Sequence, residues 1–361
     1  MKTRPPRLIA CAALLAAFAV PLKLHAQTPA RPPADGDFHT KLVLTPGEQR
    51  VEPEDLVDIE LIRNSPDWQA ETNDLVQQYI NYYQGRGRST MEVGIRRSGR
   101  FVQMARRIFR EEGVPEDIIW LAQVESGWST RAMSWAAATG LWQFPASKAK
   151  RYGLRVTPWI DERRGFEKAT RAAARYLKDL YNHFGSWELA LAAYHTSQKD
   201  IVRAVARANS TNYWKIRPYL VREARNYVPA VLATILIAKN PEKYGFGAVR
   251  PDPPLAYDVV EVPAATSLYL VARATEASVD EIRTLNPELM RDVTPRGQSY
   301  RMRVPAGRAE QFIRLLKDIP KGKRDRVPEK GPRLMVIKAW PGDTPARLAG
   351  RYNVPAGGWR G

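Results

Sequence analysis

Apolar residues recur at helical spacing through the middle of the chain. Between Met91 and Ile237 they form long stretches rich in Ala, Leu and Arg, which Gly and Pro interrupt. Residues 169–184 and 226–239 are the clearest cases, because their apolar positions fall three and four residues apart. The pattern predicts an all-α domain, which we place at residues 91–250.

The pattern changes after Pro251. Residues 257–262 and 300–305 form short runs typical of β-strands, and two helical segments lie between them. The order β-α-α-β predicts a small α/β module, which we place at residues 255–318. The fold class expected for the chain is therefore mainly α, with an all-α domain followed by small α/β modules.

The last part of the chain repeats only the start of this module. Residues 319–332 are basic and rich in Pro and Gly, as is typical of a linker. Residues 333–361 then begin a strand and a helix but stop before the second half. A module without half of its core should not fold alone, so we expect a truncated copy here.

The first residues have the pattern of a secretory signal peptide. Lys2, Arg4 and Arg7 form a positive segment, residues 8–20 are apolar, and Ala26 offers a small residue for cleavage. The alternative is a buried N-terminal helix. We expect export to the periplasm or cell envelope, and removal of residues 1–26 would lower the formal charge from +18 to +14 because four Lys and Arg residues are lost.

A cysteine within this segment offers a second interpretation. Leu8-Ile9-Ala10-Cys11 resembles a lipobox, in which a lipidated cysteine attaches the protein to a membrane. Only three apolar residues precede Cys11, which is short for such a signal. We therefore favour a cleaved signal peptide and keep membrane attachment as the alternative.

Residues 27–90 are expected to be a linker and an N-terminal helical arm. Residues 27–37 are rich in Pro and small residues, as flexible linkers are. Short helical patterns follow, one of them at residues 74–83, before a Gly-rich and Arg-rich break. We therefore expect the arm to lead into the main domain.

Composition narrows the possible functions. The 361 residues carry a formal charge of +18 and 44% hydrophobic residues, which excludes a mainly disordered chain and indicates acidic partners. These partners could be nucleic acid, anionic lipid or an anionic cell-wall polymer, and export argues against nucleic acid. One cysteine and four histidines argue against a disulfide scaffold and a metal site.

One carboxyl group occupies an unusual position. The pattern predicts a helix that begins near Pro115 and ends at Gly127. On it, Glu125 follows Ile118 and Ala122 on the apolar side, in the last turn. Burial and the helix dipole should both raise its pKa, as a general acid requires. The alternative is an ordinary glutamate that reaches solvent at a helix end.

Three motifs in order carry a family resemblance. They are Glu125-Ser126, Gly140-Leu141-Trp142-Gln143 and Ala193-Tyr194-His195. They resemble the E-S, G-L-x-Q and A-Y-N motifs of the lytic transglycosylase domain, which has a goose-type-lysozyme-like fold. The resemblance extends over roughly residues 70–318.

The resemblance implies a mechanism with one carboxyl group. Glu125 would protonate the glycosidic oxygen between N-acetylmuramic acid and N-acetylglucosamine. It would then deprotonate the muramic acid 6-hydroxyl, which closes on C1 to give a 1,6-anhydro sugar. No cofactor or metal is implied, and the partner is a peptidoglycan glycan strand. The residues implied to bind substrate or to orient the acid are Ser126, Gln143, Tyr194, His195 and Tyr227.

Two departures from the family motifs leave alternatives open. The family usually reads A-Y-N-A-G, whereas His195 and Ser197 stand here at the Asn and final Gly positions. The family also reads W-Q-F-M-P, and here Pro145 follows Phe144 directly. The alternatives are a peptidoglycan-binding protein with impaired catalysis and a hydrolytic muramidase.

The C-terminal modules have a resemblance of their own. Residues 278–307 resemble LysM repeats, which bind chains of N-acetylglucosamine. The first half of this copy lacks the usual G-D-T turn, so it is degenerate, and a packing role is an equal alternative. Gly342-Asp343-Thr344 supplies that turn in the truncated copy.

Overall fold

The computed structural model describes residues 70, 72–134 and 136–325. Most of them are helical. The helices are α1 (Asp74–Gln84), α2 (Arg88–Ser98), α3 (Val102–Glu111), α4 (Leu121–Ser126), α5 (Ala146–Arg151), α6 (Phe166–Phe184), α7 (Trp187–His195), α8 (Gln198–Ala208), α9 (Tyr213–Ile216), α10 (Arg222–Lys239), α11 (Leu268–Ala274), α12 (Val279–Leu285) and α13 (Ala309–Asp318), and the strands are β1 (Tyr257–Val262) and β2 (Tyr300–Pro305).

One hydrophobic core holds α1 to α10 together. The long helices α6 and α10 each bury a broad apolar face in it. Helix α1 buries Val76 and Ile80 in the same core and packs against α10. The segment expected to be an arm thus belongs, from Asp74 on, to the main helical body, because its apolar stripe needs α10 to cover it.

The helix predicted between Pro115 and Gly127 forms in two parts. Residues Glu116–Trp120 adopt a 3₁₀ helix, and α4 continues from Leu121 to Ser126. Gly127 ends it with a left-handed backbone, φ +54° and ψ +40°, as predicted from the glycine. Ile118 in the first part is fully buried, and Glu125 is the penultimate residue of α4.

The small α/β module has the predicted order β1-α11-α12-β2. Its two strands pair antiparallel, from Tyr257 opposite Pro305 to Val262 opposite Tyr300. Helix α13 follows β2 and buries Phe312 and Leu316, four residues apart, in the core of the module. The sequence analysis did not predict α13. The predicted fold class, mainly α with a small α/β module, is confirmed.

A loop of the helical body completes the core of the module. Ile160 is 3% exposed and lies among the apolar side chains of the module. Its backbone bridges to Leu289, and the neighbouring Asp161 N–H donates to the carbonyl of Glu288 at 2.8 Å. The module therefore shares its core with the helical body.

A buried arginine of the module also pairs with the helical body. Arg303 on β2 donates to Glu167 on α6 at 3.0 Å and to Glu288 at 2.8 Å. The phenol of Tyr257 also donates to Glu167, at 2.7 Å. Because the Arg303 side chain is only 11% exposed, these contacts are largely screened from solvent.

Several predictions fall outside the described residues. These are the signal peptide and the lipobox at Cys11, the linker at 27–37, most of the linker at 319–332 and the truncated module at 333–361. Among the residues that the structure does describe, no helix is both long and apolar enough to cross a membrane.

Candidate active site

Glu125 lies in the last turn of α4, partly exposed at the surface of the helical body. Burial raises the pKa of its carboxyl from the usual 4.5 to about 7, although a hydrogen bond from Tyr227 and the charge of Lys148 lower it. The expectation of a raised pKa thus agrees with the structure, with burial as the largest cause. A substantial fraction of this carboxyl is therefore protonated at neutral pH.

Tyr227 on α10 contacts the acid directly. Its phenol donates a hydrogen bond to Oε1 of Glu125 at 2.5 Å, and its ring is 4% exposed. The ring of His195 stacks on it, with centroids 4.3 Å apart and planes 13° from parallel. The last residue of α7 therefore supports the tyrosine that orients the acid.

Lys148 on α5 brings a positive charge to the same place. Its ammonium donates to the phenol of Tyr176 at 2.9 Å and to the carbonyl of Tyr194 at 3.4 Å. Burial lowers the pKa of Lys148 to about 8, while the nearby Glu125 raises it. The sequence analysis missed this lysine, because α5 carries three cationic residues and nothing in their spacing distinguishes Lys148.

The G-L-x-Q motif forms a tight loop beside α4. Gly140 has φ +86°, and a Cβ there would lie 1.9 Å from the carbonyl oxygen of Arg163, so only glycine fits. Gln143 also has a positive φ, +48°, and its amide donates to the carbonyls of Gly140 at 2.9 Å and Ala132 at 3.2 Å. In this structure the Gln143 amide therefore braces the loop.

Two other motif residues fix this loop to its surroundings. The hydroxyl of Ser126 lies 2.8 Å from the carbonyl of Leu141, as a donor, and accepts from the Ser129 N–H at 3.2 Å. The phenol of Tyr194 donates to the carbonyl of Trp142 at 2.7 Å. These bonds tie the end of α4 and the end of α7 to one loop.

The structure thus divides the predicted site residues into two groups. In the first group, the phenol of Tyr227 donates a hydrogen bond to the carboxyl of Glu125, and the ring of His195 stacks on the ring of Tyr227. Ser126, Gln143 and Tyr194 bond to backbone carbonyls instead. The resemblance implies that Ser126 and Gln143 bond either the acid or the N-acetyl group of the substrate. Within the described residues neither side chain bonds Glu125, because the loop carbonyls occupy their donors.

The departure at Ser197 has a local explanation. Ser197 is the N-cap of α8, and its hydroxyl donates to the carboxylate of Asp200 at 2.7 Å while it accepts from the Asp200 N–H at 3.2 Å. Serine is a favoured N-cap residue because its hydroxyl accepts a hydrogen bond from an N–H of the first turn. The backbone at Ser197 is extended, with φ −155°, so this chain needs no glycine there.

Comparison with known proteins finds a family match for a segment of the helical body and for the small α/β module. Residues 104–217 match the family model of the transglycosylase SLT domain, and residues 256–321 match that of the LysM-like domain of lytic transglycosylase MltD. Membrane-bound lytic murein transglycosylase D of Escherichia coli strain K12 is 29% identical over 255 residues, which are 68% of this chain and 56% of that protein. The chain thus spans little more than half the length of that relative.

Two solved structures are partly similar. The 70 kDa soluble lytic transglycosylase of Escherichia coli has a TM-score of 0.37 and 18% identity, over 50% of this chain and 32% of that one. An inactive mutant of the lytic transglycosylase Slt from Pseudomonas aeruginosa has a TM-score of 0.34 and 21% identity, over 42% and 24% of the two chains. Over these two segments the chain is therefore similar to the transglycosylase SLT domain and to the LysM-like domain of lytic transglycosylase MltD.

Proposed function

We propose that this protein is a lytic transglycosylase, which cleaves the β-1,4 bond between N-acetylmuramic acid and N-acetylglucosamine in peptidoglycan without using water. The observation that carries the proposal is the carboxyl of Glu125, which burial keeps partly protonated near pH 7 and Tyr227 holds in place. Glu125 acts as the single acid and base.

In the first step, Glu125 acts as the acid. Its proton moves to the glycosidic oxygen while the bond from that oxygen to C1 of the muramic acid breaks. A pKa of about 7 suits this step, because the carboxyl is protonated often enough to start the reaction and still acidic enough to give up its proton. The phenol of Tyr227 stabilises the carboxylate that is left.

In the second step, Glu125 acts as the base. The 6-hydroxyl of the same muramic acid attacks C1, and its proton goes to the carboxylate, so that the acid is restored and a 1,6-anhydro sugar is released. The nucleophile belongs to the substrate and is held close to C1, which replaces an encounter with water by an intramolecular step.

The charges around Glu125 favour this mechanism over hydrolysis. Glycosidases that use water or a covalent intermediate pair the acid with a second carboxylate. Within the described part of the chain, the charge that acts on Glu125 comes from the cation Lys148 rather than from a second carboxylate. A mechanism in which the substrate supplies the nucleophile needs no such partner.

The same proposal places the protein in the cell envelope. The N-terminal pattern of a signal peptide and the resemblance to a membrane-bound murein transglycosylase both support export. The formal charge of +18 suits a polymer whose stem peptides carry carboxylates. Peptidoglycan is therefore the proposed partner.

Digestion of purified peptidoglycan in water labelled with heavy oxygen tests the proposal. The wild-type protein should release anhydro-muropeptides without the label, as mass spectrometry of the products will show. Glu125→Gln should keep the fold and abolish release, because an amide is close in shape but cannot donate and recover the proton. The matched control is Glu116→Gln, which changes a carboxyl that pairs with Arg110 away from the site.

The two alternatives predict different products. A hydrolytic muramidase would release reducing ends that carry the label. A binding protein without catalysis, which the departure at His195 keeps open, would retain peptidoglycan in a pull-down but release nothing. Activity near wild type in Glu125→Gln would contradict the assignment of Glu125.

A further inference from the structure

Lys148 is held beside the candidate acid by neutral groups. It lies half-buried on α5, with its ammonium 4.1 Å from the ring centroid of Tyr176 and in contact with the Tyr176 phenol and the Tyr194 carbonyl. Within the described part of the chain, no carboxylate comes within ion-pair distance of this ammonium. Its charge is therefore not balanced by a direct ion pair.

Other titratable groups surround the pair of Glu125 and Lys148. They come from α5, α6, α7 and α10, and they are Arg151, Tyr176, Tyr194, His195 and Tyr227. Burial raises the pKa of Tyr176 to about 12, and it raises the pKa values of Tyr194 and Tyr227 well above 10, so these phenols stay neutral in the working range.

We propose that Lys148 is a positioning residue for the reaction of Glu125: its ammonium, anchored on Tyr176 and Tyr194, stabilises the carboxylate that Glu125 becomes after it gives its proton to the substrate. This inference rests on the proposed function. It assigns a part in the reaction to a residue outside the three motifs.

The absence of a direct ion pair is what makes this arrangement useful. A lysine bonded to Glu125 would keep the carboxyl ionised in the resting protein, so that it could not act as an acid. A cation that other groups hold beyond ion-pair distance leaves the carboxyl partly protonated near pH 7 and acts most strongly when the negative charge appears. The fixed anchors mean that Lys148 does not have to move for this.

Two substitutions separate this role from a general effect of charge. Lys148→Met removes the ammonium and keeps the length of the side chain, whereas Lys150→Met removes an exposed charge from the same helix. Lys148→Arg keeps a cation in place and shows whether charge or packing matters. Circular dichroism confirms that each full-length variant is folded.

The first measurement needs no activity. The carboxyl-carbon NMR shift of Glu125, assigned by its loss in Glu125→Gln, reports the titration of this group. We expect Lys148→Met to raise the midpoint by about one pH unit, since a nearby cation lowers a carboxyl pKa by about that much or more. Lys150→Met and Lys148→Arg should leave the midpoint close to wild type. An unchanged or lower midpoint in Lys148→Met would overturn the proposal.

The second measurement uses release of anhydro-muropeptides as a function of pH. Lys148→Met should move the loss of activity at high pH upward and lower kcat by up to about tenfold, which corresponds to one pKa unit of lost stabilisation. A shifted midpoint with unchanged kcat and pH profile would also overturn the proposal. If the wild-type protein releases no product, the proposed function fails, and with it this role, while the titration still decides whether Lys148 acts on Glu125.

Discussion

The phenol of Tyr227 lies 2.5 Å from Oε1 of Glu125, as the donor of a hydrogen bond that joins α10 to the last turn of α4. Burial of the carboxyl favours its neutral form, and this bond favours its ionised form. The pKa of about 7 is the balance of these two and of the charge of Lys148, which also lowers it. Removing any one of these contributions should move it in a known direction.

Tyr227→Phe should extend activity to higher pH. The substitution keeps the ring under His195 but removes the donor that lowers the pKa of Glu125. The pKa of the acid then rises, so kcat/KM for peptidoglycan should fall at a higher pH than in the wild-type protein. Tyr213→Phe is the control, since the phenol of Tyr213 donates to the carbonyl of Arg225 instead. An identical basic limb in Tyr227→Phe and wild type would contradict the expectation.

The stability of the wild-type protein relative to Glu125→Gln should fall as the pH rises. The folded pKa of Glu125 is about 7, against 4.5 for an ordinary glutamate, so between these values only the unfolded chain loses the proton. The stabilisation is complete below pH 4.5 and is lost as the pH rises through about 7. The difference amounts to at most about 3 kcal/mol, and urea unfolding at about pH 4 and about pH 8 measures it.

A second glutamate gives the control of opposite sign. Burial raises the pKa of Glu112, but hydrogen bonds from Arg171 and Arg175 outweigh it and lower the pKa overall. The stabilisation from Glu112 is therefore present above pH 4.5 and lost as the pH falls below it. Glu112→Gln should differ most from wild type at neutral pH, and the same trend in both variants would show that another group dominates.

His195→Asn should reduce kcat/KM for peptidoglycan by about tenfold. The imidazole stacks on Tyr227, and ring contacts of this kind contribute about 0.5–1.5 kcal/mol, whereas an amide covers much less of the ring. His195→Phe keeps the stack and should retain most of the activity. If His195→Asn is as active as wild type or more so, the histidine instead replaces the asparagine of the family motif without a rebuilt support.

Arg303→Met should destabilise the protein by about 3–5 kcal/mol, because it leaves the buried carboxylate of Glu288 and the partly buried carboxylate of Glu167 without their cation. Arg314→Met, at an exposed position of α13 in the same module, should change the free energy of unfolding by less than about 0.5 kcal/mol. Urea unfolding of the two full-length variants makes the comparison. Equal changes in the free energy of unfolding would show that the contacts of Arg303 stabilise the protein no more than an exposed arginine does.

The sequence allowed good prediction wherever the information is local. Strands β1 and β2 occur at the residues predicted from their alternating pattern, and Gly127 ends α4 as its conformational freedom suggested. The candidate acid could be selected because the period of the helix and the motif both led to Glu125. Periodicity and turn chemistry are properties of neighbouring residues, so one sequence contains them.

What could not be predicted depends on contacts between distant segments. Lys148 and Tyr176 are 28 residues apart and meet only because the fold brings α5 against α6. The packing of α1 against α10 and the insertion of Ile160 into the module likewise require the assembled fold. The motifs assigned the side chains of Ser126 and Gln143 to the acid or to the substrate, whereas the loop carbonyls that they contact are set by backbone geometry.

The buried contacts of Arg303 and Ile160 have a consequence for how the protein, if it acts as proposed, would cleave a long glycan strand. Because the module shares a core with the helical body, it cannot move independently of it. The distance from the surface of the module to Glu125 is therefore fixed. A glycan strand bound by the module would reach Glu125 at a constant number of sugars from the position where the module binds it. The glycan fragments that are released would then cluster around one length.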